Sequence, residues 1–234
     1  MKKIDTEFSL QTVPQTSRNS FAKTMAVMLG FTFFSASMLA GGQLGLNLTF
    51  SQFLLVILLG NLALCLYTGT LAHIAAKMGL STHLLAKYSF GEKGSYLPSF
   101  LLGFTQVGWF GVGVAMFAVP IAKEMGWNSY LLIFVFGTAI TLASLYGMKS
   151  LVILSFIAVP LIAVLGSYSA IEATRFMGGL SALFEYEPQS SLTISAALTI
   201  CIGSFISGGT LTADFARFAK TSRSAVAATS TAFF

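Results

Sequence analysis

Gln106 and Trp109 stand three residues apart in the string Gln106-Val107-Gly108-Trp109-Phe110-Gly111-Val112-Gly113, a spacing that puts them on one face of a helix. A carboxamide that both donates and accepts, beside a large flat ring, is the pair that stacks on a planar polar ring and reads its edge. The alternative for Trp109 is a lipid-facing or core aromatic. Interfacial tryptophan, however, belongs near the ends of a span, and this one lies deep in the charge-free run 94–122. Asp214 and Arg217, at i and i+3, are either a gating ion pair or a surface pair at a helix end. His73 and His83 have no metal spacing between them and read as solvated loop residues. Cys65 and Cys201 sit in apolar runs as small filler. No Ser/His/Asp, Cys/His or phosphate-cradling arrangement occurs, so the chain does not read as an enzyme, and no cofactor is expected.

A second constellation comes from an internal repeat. Phe33, Ser35 and Leu39 match Phe205, Ser207 and Leu211 at an offset of 172, with small Ala36 and Ser37 matching Gly208 and Gly209. Both stretches fall mid-span in the first helix of a possible five-helix unit, and an odd number of crossings inverts the second copy. Paired interrupted segments in corresponding positions point to a transporter's central site, where freed carbonyls can hold a cation and freed amides a polar ligand. Close packing through small residues is the competing explanation.

These residues need helices to position them, and the composition says in what solvent. Only 9% of the 234 residues are charged while 55% are hydrophobic, against roughly 25% charged in soluble domains. Soluble enzymes and nucleic-acid binders are thereby excluded. A span needs roughly 20 apolar residues. The charge-free run 24–72 is therefore two crossings, divided at the turn-prone Gly41–Asn47. Expected helices cover about 24–45, 50–72, 95–122, 127–147 and 150–171, then a loop over 173–192, a broken sixth helix over about 193–217 and a seventh starting at 224. The segment 1–23 precedes them as a polar tail and does not read as a signal peptide.

The connections sort Lys and Arg unevenly. Lys2, Lys3, Arg18, Lys23, Lys77, Lys87, Lys93, Lys149, Arg217, Lys220 and Arg223 fall on one side, against Lys123 and Arg175 on the other. By the positive-inside rule the N-terminus is expected in the cytoplasm.

At Val27–Met38 (VMLGFTFFSASM), Thr105–Ala118 (TQVGWFGVGVAMFA) and Gly203–Phe218 (GSFISGGTLTADFARF) the sequence resembles the bacterial nucleobase–cation symport family 1, with similarity from about Val13 to the last residue. The resemblance implies an all-α polytopic membrane protein of the five-plus-five inverted-repeat fold. This chain would supply the first repeat, helix 6 and the start of helix 7. It further implies a sodium-coupled importer of cytosine in the bacterial inner membrane, working by alternating access, with Trp109 and Phe205 sandwiching the base. Gln106 and Ser204 would bond its edge, backbone near Phe34 and Ser35 would contribute, and the Gly30 and Phe33 carbonyls would hold sodium. Uracil, allantoin and hydantoin remain open as substrates, since stacking tolerates any ring. A non-transporting membrane scaffold is the alternative of another class. The family's helices 7 to 12 would have to follow, so these residues alone are not expected to transport.

The charge sorting makes a direct prediction for the full-length protein lacking Cys65 and Cys201. Single cysteines at Lys93 and Arg223 should react with impermeant maleimide only from inside, and one at Arg175 only from outside. Labelling of Lys93→Cys in intact cells would reverse the orientation.

Overall fold

A computed structural model of the chain describes residues 7–188, 190 and 192–234. Lys2 and Lys3, used in the orientation argument, lie outside the described residues, as do Gln189 and Ser191 of the 173–192 connection. Among the described residues the architecture is helical throughout, with one isolated bridge between Asn19 and Ala219.

The first expected span is two helices, α1 (Phe21–Thr32) and α2 (Ser35–Asn47), bent by 54° across the break. It is followed by α3 (Phe50–Met78), which starts with a reciprocal capping box between Thr49 and Gln52 and stops at Gly79, whose φ of 70° suits a residue without Cβ. α5 (Tyr96–Met125) and α7 (Gly147–Phe176) are the other two helices long and apolar enough to cross a bilayer. Each carries an internal proline, Pro120 and Pro160, which neighbouring groups can accommodate within a membrane. Between them lies the shorter α6 (Ser129–Ser144), capped by the Asn128 side chain on the amides of Tyr130 and Leu131.

Several expected boundaries shift. α3 runs past residue 72 to Met78, so the expected inner loop begins later. That loop is itself structured: α4 (Thr82–Gly94) occupies it, kinked at Gly91. His83 accordingly sits on a helix, not in a solvated loop, and its Nδ1 shares a hydrogen bond of 2.5 Å with Ser99 Oγ. The span expected over 193–217 is three short helices, α9 (Ile194–Gly203), α10 (Ile206–Thr210) and α11 (Thr212–Ala216), preceded by α8 (Leu180–Glu185) in the loop. The last helix, α12 (Ser222–Phe233), starts two residues earlier than expected on a second capping box, Thr221 with Ser224.

α3 packs against α9, α11 and α12, and α1 against α12 and α7. Where α3 meets α11 and α12 the interface is almost all alanine: Ala72, Ala75, Ala76, Ala213, Ala216, Ala219 and Ala225 are essentially sealed. Small residues let helix axes approach closely in a medium that provides no hydrophobic drive between helices. Nearer the breaks, Met28, Leu64, Phe205, Ala228 and Phe233 form a larger-side-chain cluster. The outer faces are the reverse of a soluble core. Phe100, Phe104, Tyr130, Phe134 and Phe176 are each more than two-thirds exposed, which water would penalise and lipid does not. The chain is thus a multi-pass membrane protein.

Gly30 shows how tightly the α1 break is held. A Cβ there would meet Ser155 Oγ on α7 and approach Ser155 Cβ to 3.0 Å. Gly30→Ala in the full-length protein should therefore cost about 1–3 kcal/mol by overpacking, read as a lower unfolding temperature. Adding Ser155→Gly should recover most of the loss. Equal destabilisation with and without that second change would remove the α1–α7 contact as its cause.

Candidate binding site at the helix breaks

The α1–α2 break is an inverse γ-turn centred on Phe33, whose φ and ψ are −73° and 74°. Phe34 N donates back to Thr32 O at 2.8 Å, so Gly30 O loses the amide that a continuing helix would bring to it. The α9–α10 break falls one residue away at the repeat offset. There Phe205 N donates to Ile202 O at 3.2 Å, and Cys201 O, deprived of that amide, accepts instead from Ser204 Oγ at 2.8 Å. The Ser204 hydroxyl proton is committed in this way. Its oxygen lone pairs remain free to accept.

A cavity of about 260 Å³ opens between the two breaks and α5, lined by Phe31, Phe34, Gln106, Trp109, Phe110, Ser204, Phe205, Ser207 and Gly208. Of the residues expected from sequence to bind a ring, the structure brings together Gln106, Trp109, Ser204, Phe205 and Phe34. Phe34 contributes its side chain rather than only backbone, meeting Trp109 edge-on with centroids 5.7 Å apart. Ser35 is not part of the wall, its Oγ lying 3.6 Å from Met116 Sδ. Phe205 is 9% exposed, held edge-on by Phe31 and Phe233 at 5.2 and 5.4 Å. Its ring is thus set by packing before any ligand arrives.

The polar groups are few. Trp109 Nε1 donates to Ser207 Oγ at 3.1 Å, which fixes the indole's rotation and leaves the Ser207 hydroxyl proton available. Gln106 Nε2 is shut off from solvent and has no hydrogen-bond partner, a costly state for a donor. An apolar box with one unmet carboxamide, one committed serine and one free hydroxyl is suited to a flat molecule carrying both acceptors and donors on its edge. Sequence reasoning missed Phe31, Phe110 and Ser207 as wall residues. Ser207 had a signal, its repeat match to Ser35.

Gly30 and Phe33, expected to give carbonyls to a cation, sit on the break but outside this cavity. Phe33 lines a neighbouring space of about 280 Å³, together with Ser37, Asn61, Ser204 and Phe205. Asp214 and Arg217, the expected gating pair, are turned to different partners. Asp214 Oδ1 accepts from Thr82 N at 3.2 Å, while the Arg217 guanidinium donates to Phe8 O and Glu7 O at 2.8 and 2.9 Å. Their direct link is Arg217 Nε to the Asp214 main-chain oxygen at 3.2 Å. Adjacency on the helix thus does not produce a carboxylate–guanidinium contact.

The fold is that of an all-helical membrane protein with a cavity between two related broken spans. The structure of Mhp1, a nucleobase-cation-symport-1 family transporter in a closed conformation with bromovinylhydantoin bound, superposes with a TM-score of 0.83 over 96% of this chain and 53% of that one, at 20% identity. Residues 12–234 match the family described as permeases for cytosine/purines, uracil, thiamine and allantoin, and the chain belongs to that family. Among curated relatives, the cytosine permeases of Escherichia coli strain K12 and of Escherichia coli O157:H7 are each 53% identical over 230 residues. Those residues are 98% of this chain and 55% of each relative, so the chain spans about half the length of the relatives it matches.

In the full-length protein, Trp109→Ala should weaken binding of a planar ligand by about 1–3 kcal/mol, the usual loss of one stacking surface. Ser207→Ala, which frees the indole to turn and removes one donor from the cavity wall, should cost about 0.5–1.5 kcal/mol. Isothermal titration on both variants checks the order. A Ser207→Ala loss larger than that of Trp109→Ala would put edge bonding, not stacking, first among the contacts.

Proposed function

We propose that this chain forms the base-binding part of a sodium-coupled cytosine importer of the bacterial inner membrane, N-terminus inside. The observation that carries the reading is the unpartnered Gln106 Nε2 inside a cavity walled by Trp109 and Phe205. An amide donor without a protein partner, an acceptor at Ser204 and a donor at Ser207 complement a ring that has a carbonyl and a ring nitrogen to accept and an exocyclic amine to donate. Cytosine has that edge, and the permeases half identical to this chain carry its name. The family's description also includes uracil and allantoin, and the same box would stack either ring. Hydrogen bonding on the edge makes the choice.

The α1 break supports the sodium part of this reading. Gly30 O, without its helical amide, and Phe33 O would bind the ion less than a turn from Phe34, whose ring touches Trp109. Each ligand would order the turn that the other needs, so binding should be mutually favourable. Carbonyl oxygens are the hard, neutral donors that suit such a cation, and half-helix ends at broken spans are where transporters bind coupling ions. Alternating access would then move one repeat against the other around this fixed site.

The test is cytosine binding to the full-length protein in sodium and in potassium at constant ionic strength. A typical coupling of about 1–3 kcal/mol gives a 5- to 150-fold tighter cytosine affinity in sodium, with the reciprocal gain for the ion. Equal affinities in the two salts would remove sodium from the mechanism and leave a facilitator or proton-driven carrier. Uracil binding more tightly than cytosine would reassign the substrate. Gly30→Val is not a clean probe of the ion, because the added side chain would collide with Ser155.

A further inference from the structure

A second cavity, of about 640 Å³, follows the first along the same helix faces. On α5 its wall residues Ser99, Leu102 and Gly103 precede Gln106, Trp109 and Phe110 of the ring cavity at three- and four-residue steps, the spacing of one helix face. On the opposite wall, Leu211 N donates to Gly208 O at 2.8 Å and Asp214 N to Leu211 O at 2.9 Å. Such i to i+3 bonds bring side chains three apart into line, so Gly208 of the ring cavity is followed by Leu211 and Asp214 of the second. From Gln106 back to Ser99 is about 10 Å along a helix. The step runs towards the helix ends that carry Lys93 on one wall and Lys220 and Arg223 on the other, the side expected to face the cytoplasm.

This inner cavity differs from the ring cavity in what it offers a ligand. Ser99 Oγ donates to Ser95 O at 2.7 Å, which uses its one proton, so the 2.5 Å bond to His83 must run from Nδ1–H to Ser99 Oγ. The neutral imidazole then keeps a lone pair on Nε2. Tyr96 lies against that ring with centroids 6.0 Å apart. The Thr210 hydroxyl proton goes to Ile206 O at 2.8 Å and that of Thr82 to Thr210 O at 3.5 Å. Asp214 Oδ1 accepts from Thr82 N at 3.2 Å, and among the described residues no lysine or arginine side chain pairs with the carboxylate. Where α4, α5 and α11 meet, the wall therefore presents acceptors, one of them charged. Tyr88 and Ser89, further along α4, bring the hydroxyls whose protons are not spent in this way.

We propose that the inner cavity is a second, weaker station for the ring once it leaves the helix breaks, and that it selects for an exocyclic amine. This rests on the nucleobase-carrier reading above. The amine would donate to Asp214 Oδ2, and a ring N–H to His83 Nε2. A ring with a carbonyl in place of the amine would set its oxygen against the carboxylate, a repulsion that rejects uracil here although the outer box would stack it. The volume is in the range of small-molecule sites. Binding is weaker than at the breaks because no buried aromatic pair closes on the ring; Tyr88 and Phe90 of this wall are 73% and 60% exposed. The tie from Asp214 to the start of α4 engages one carboxylate oxygen and leaves the other for the ligand.

The experiment is equilibrium dialysis of radiolabelled cytosine against the full-length protein in sodium, carried to saturation. The parent should bind two equivalents of unequal affinity. Asp214→Asn keeps an oxygen for Thr82 N but loses the charge, so the weaker Kd should rise about 10-fold or more, the loss of one charge-assisted bond, while the tighter Kd stays within about twofold. Trp109→Ala should do the reverse. Unlabelled uracil should displace the weaker equivalent about 10-fold less well than unlabelled cytosine. A single equivalent in the parent, lost in Trp109→Ala, overturns the station and leaves the nucleobase reading standing. A weaker equivalent untouched by Asp214→Asn, or displaced equally by uracil, overturns the role given to the carboxylate. An Asp214-dependent equivalent without a Trp109-dependent one supports the station and removes the base from the ring cavity. No cytosine bound at all sinks both.

Discussion

Free backbone groups inside a bilayer have no water to bond, and this constraint organises the whole structure. The long spans α3, α5 and α7 close most of their own hydrogen bonds, Pro120 and Pro160 apart, whereas the breaks at Phe33 and Phe205 must find partners elsewhere. At the first, an inverse γ-turn at Phe33 leaves Gly30 O without its amide. At the second, Ser204 Oγ replaces the missing donor to Cys201 O. The cavity sits where the two breaks come together beside α5, with aromatic side chains from all three forming its walls.

Rigidity around the breaks follows from packing rather than from hydrogen bonds. Phe31 touches Phe205, Phe215 and Phe233, so a residue of α1 fixes rings of the second repeat and of α12. Edge-on aromatic contacts of this kind add about 0.5–1.5 kcal/mol beyond the area they bury. The orientation of the Phe205 ring is thereby built into the protein in advance, so a molecule stacking on it would meet little ordering cost.

How much of this could be read from the chain depended on the range of each interaction. Gln106 and Trp109 were legible because three-residue spacing has a fixed meaning on a helix. The breaks were legible because Phe33 and Phe205 recur at one offset. Ser207 as the partner of Trp109 was not, since the two are 98 residues apart and no local rule joins them. α4 escaped because its sequence, with Lys87, Glu92 and Lys93, is too polar to register as a span. Asp214 and Arg217 were legible only in part. Their spacing correctly made them neighbours, but the carboxylate was drawn to an orphan amide at Thr82 and the guanidinium to carbonyls more than 200 residues away in sequence. The tail around Glu7 and Arg18 has no periodicity, and its contacts exist only in three dimensions.

The alanine seam between α3, α11 and α12 bears on how this protein can vary. A sealed leucine can mutate to something smaller or to something of equal volume, and the neighbours adjust. A sealed alanine has only glycine below it, so nearly every change at Ala72, Ala75, Ala76, Ala213, Ala216, Ala219 or Ala225 adds atoms where none fit. Glycine, the one exception, loosens the helix backbone instead. Random variation should therefore be purged from this unreactive seam about as strongly as from a ligand pocket. Strong sequence constraint here would record spacing between helix axes, not chemistry.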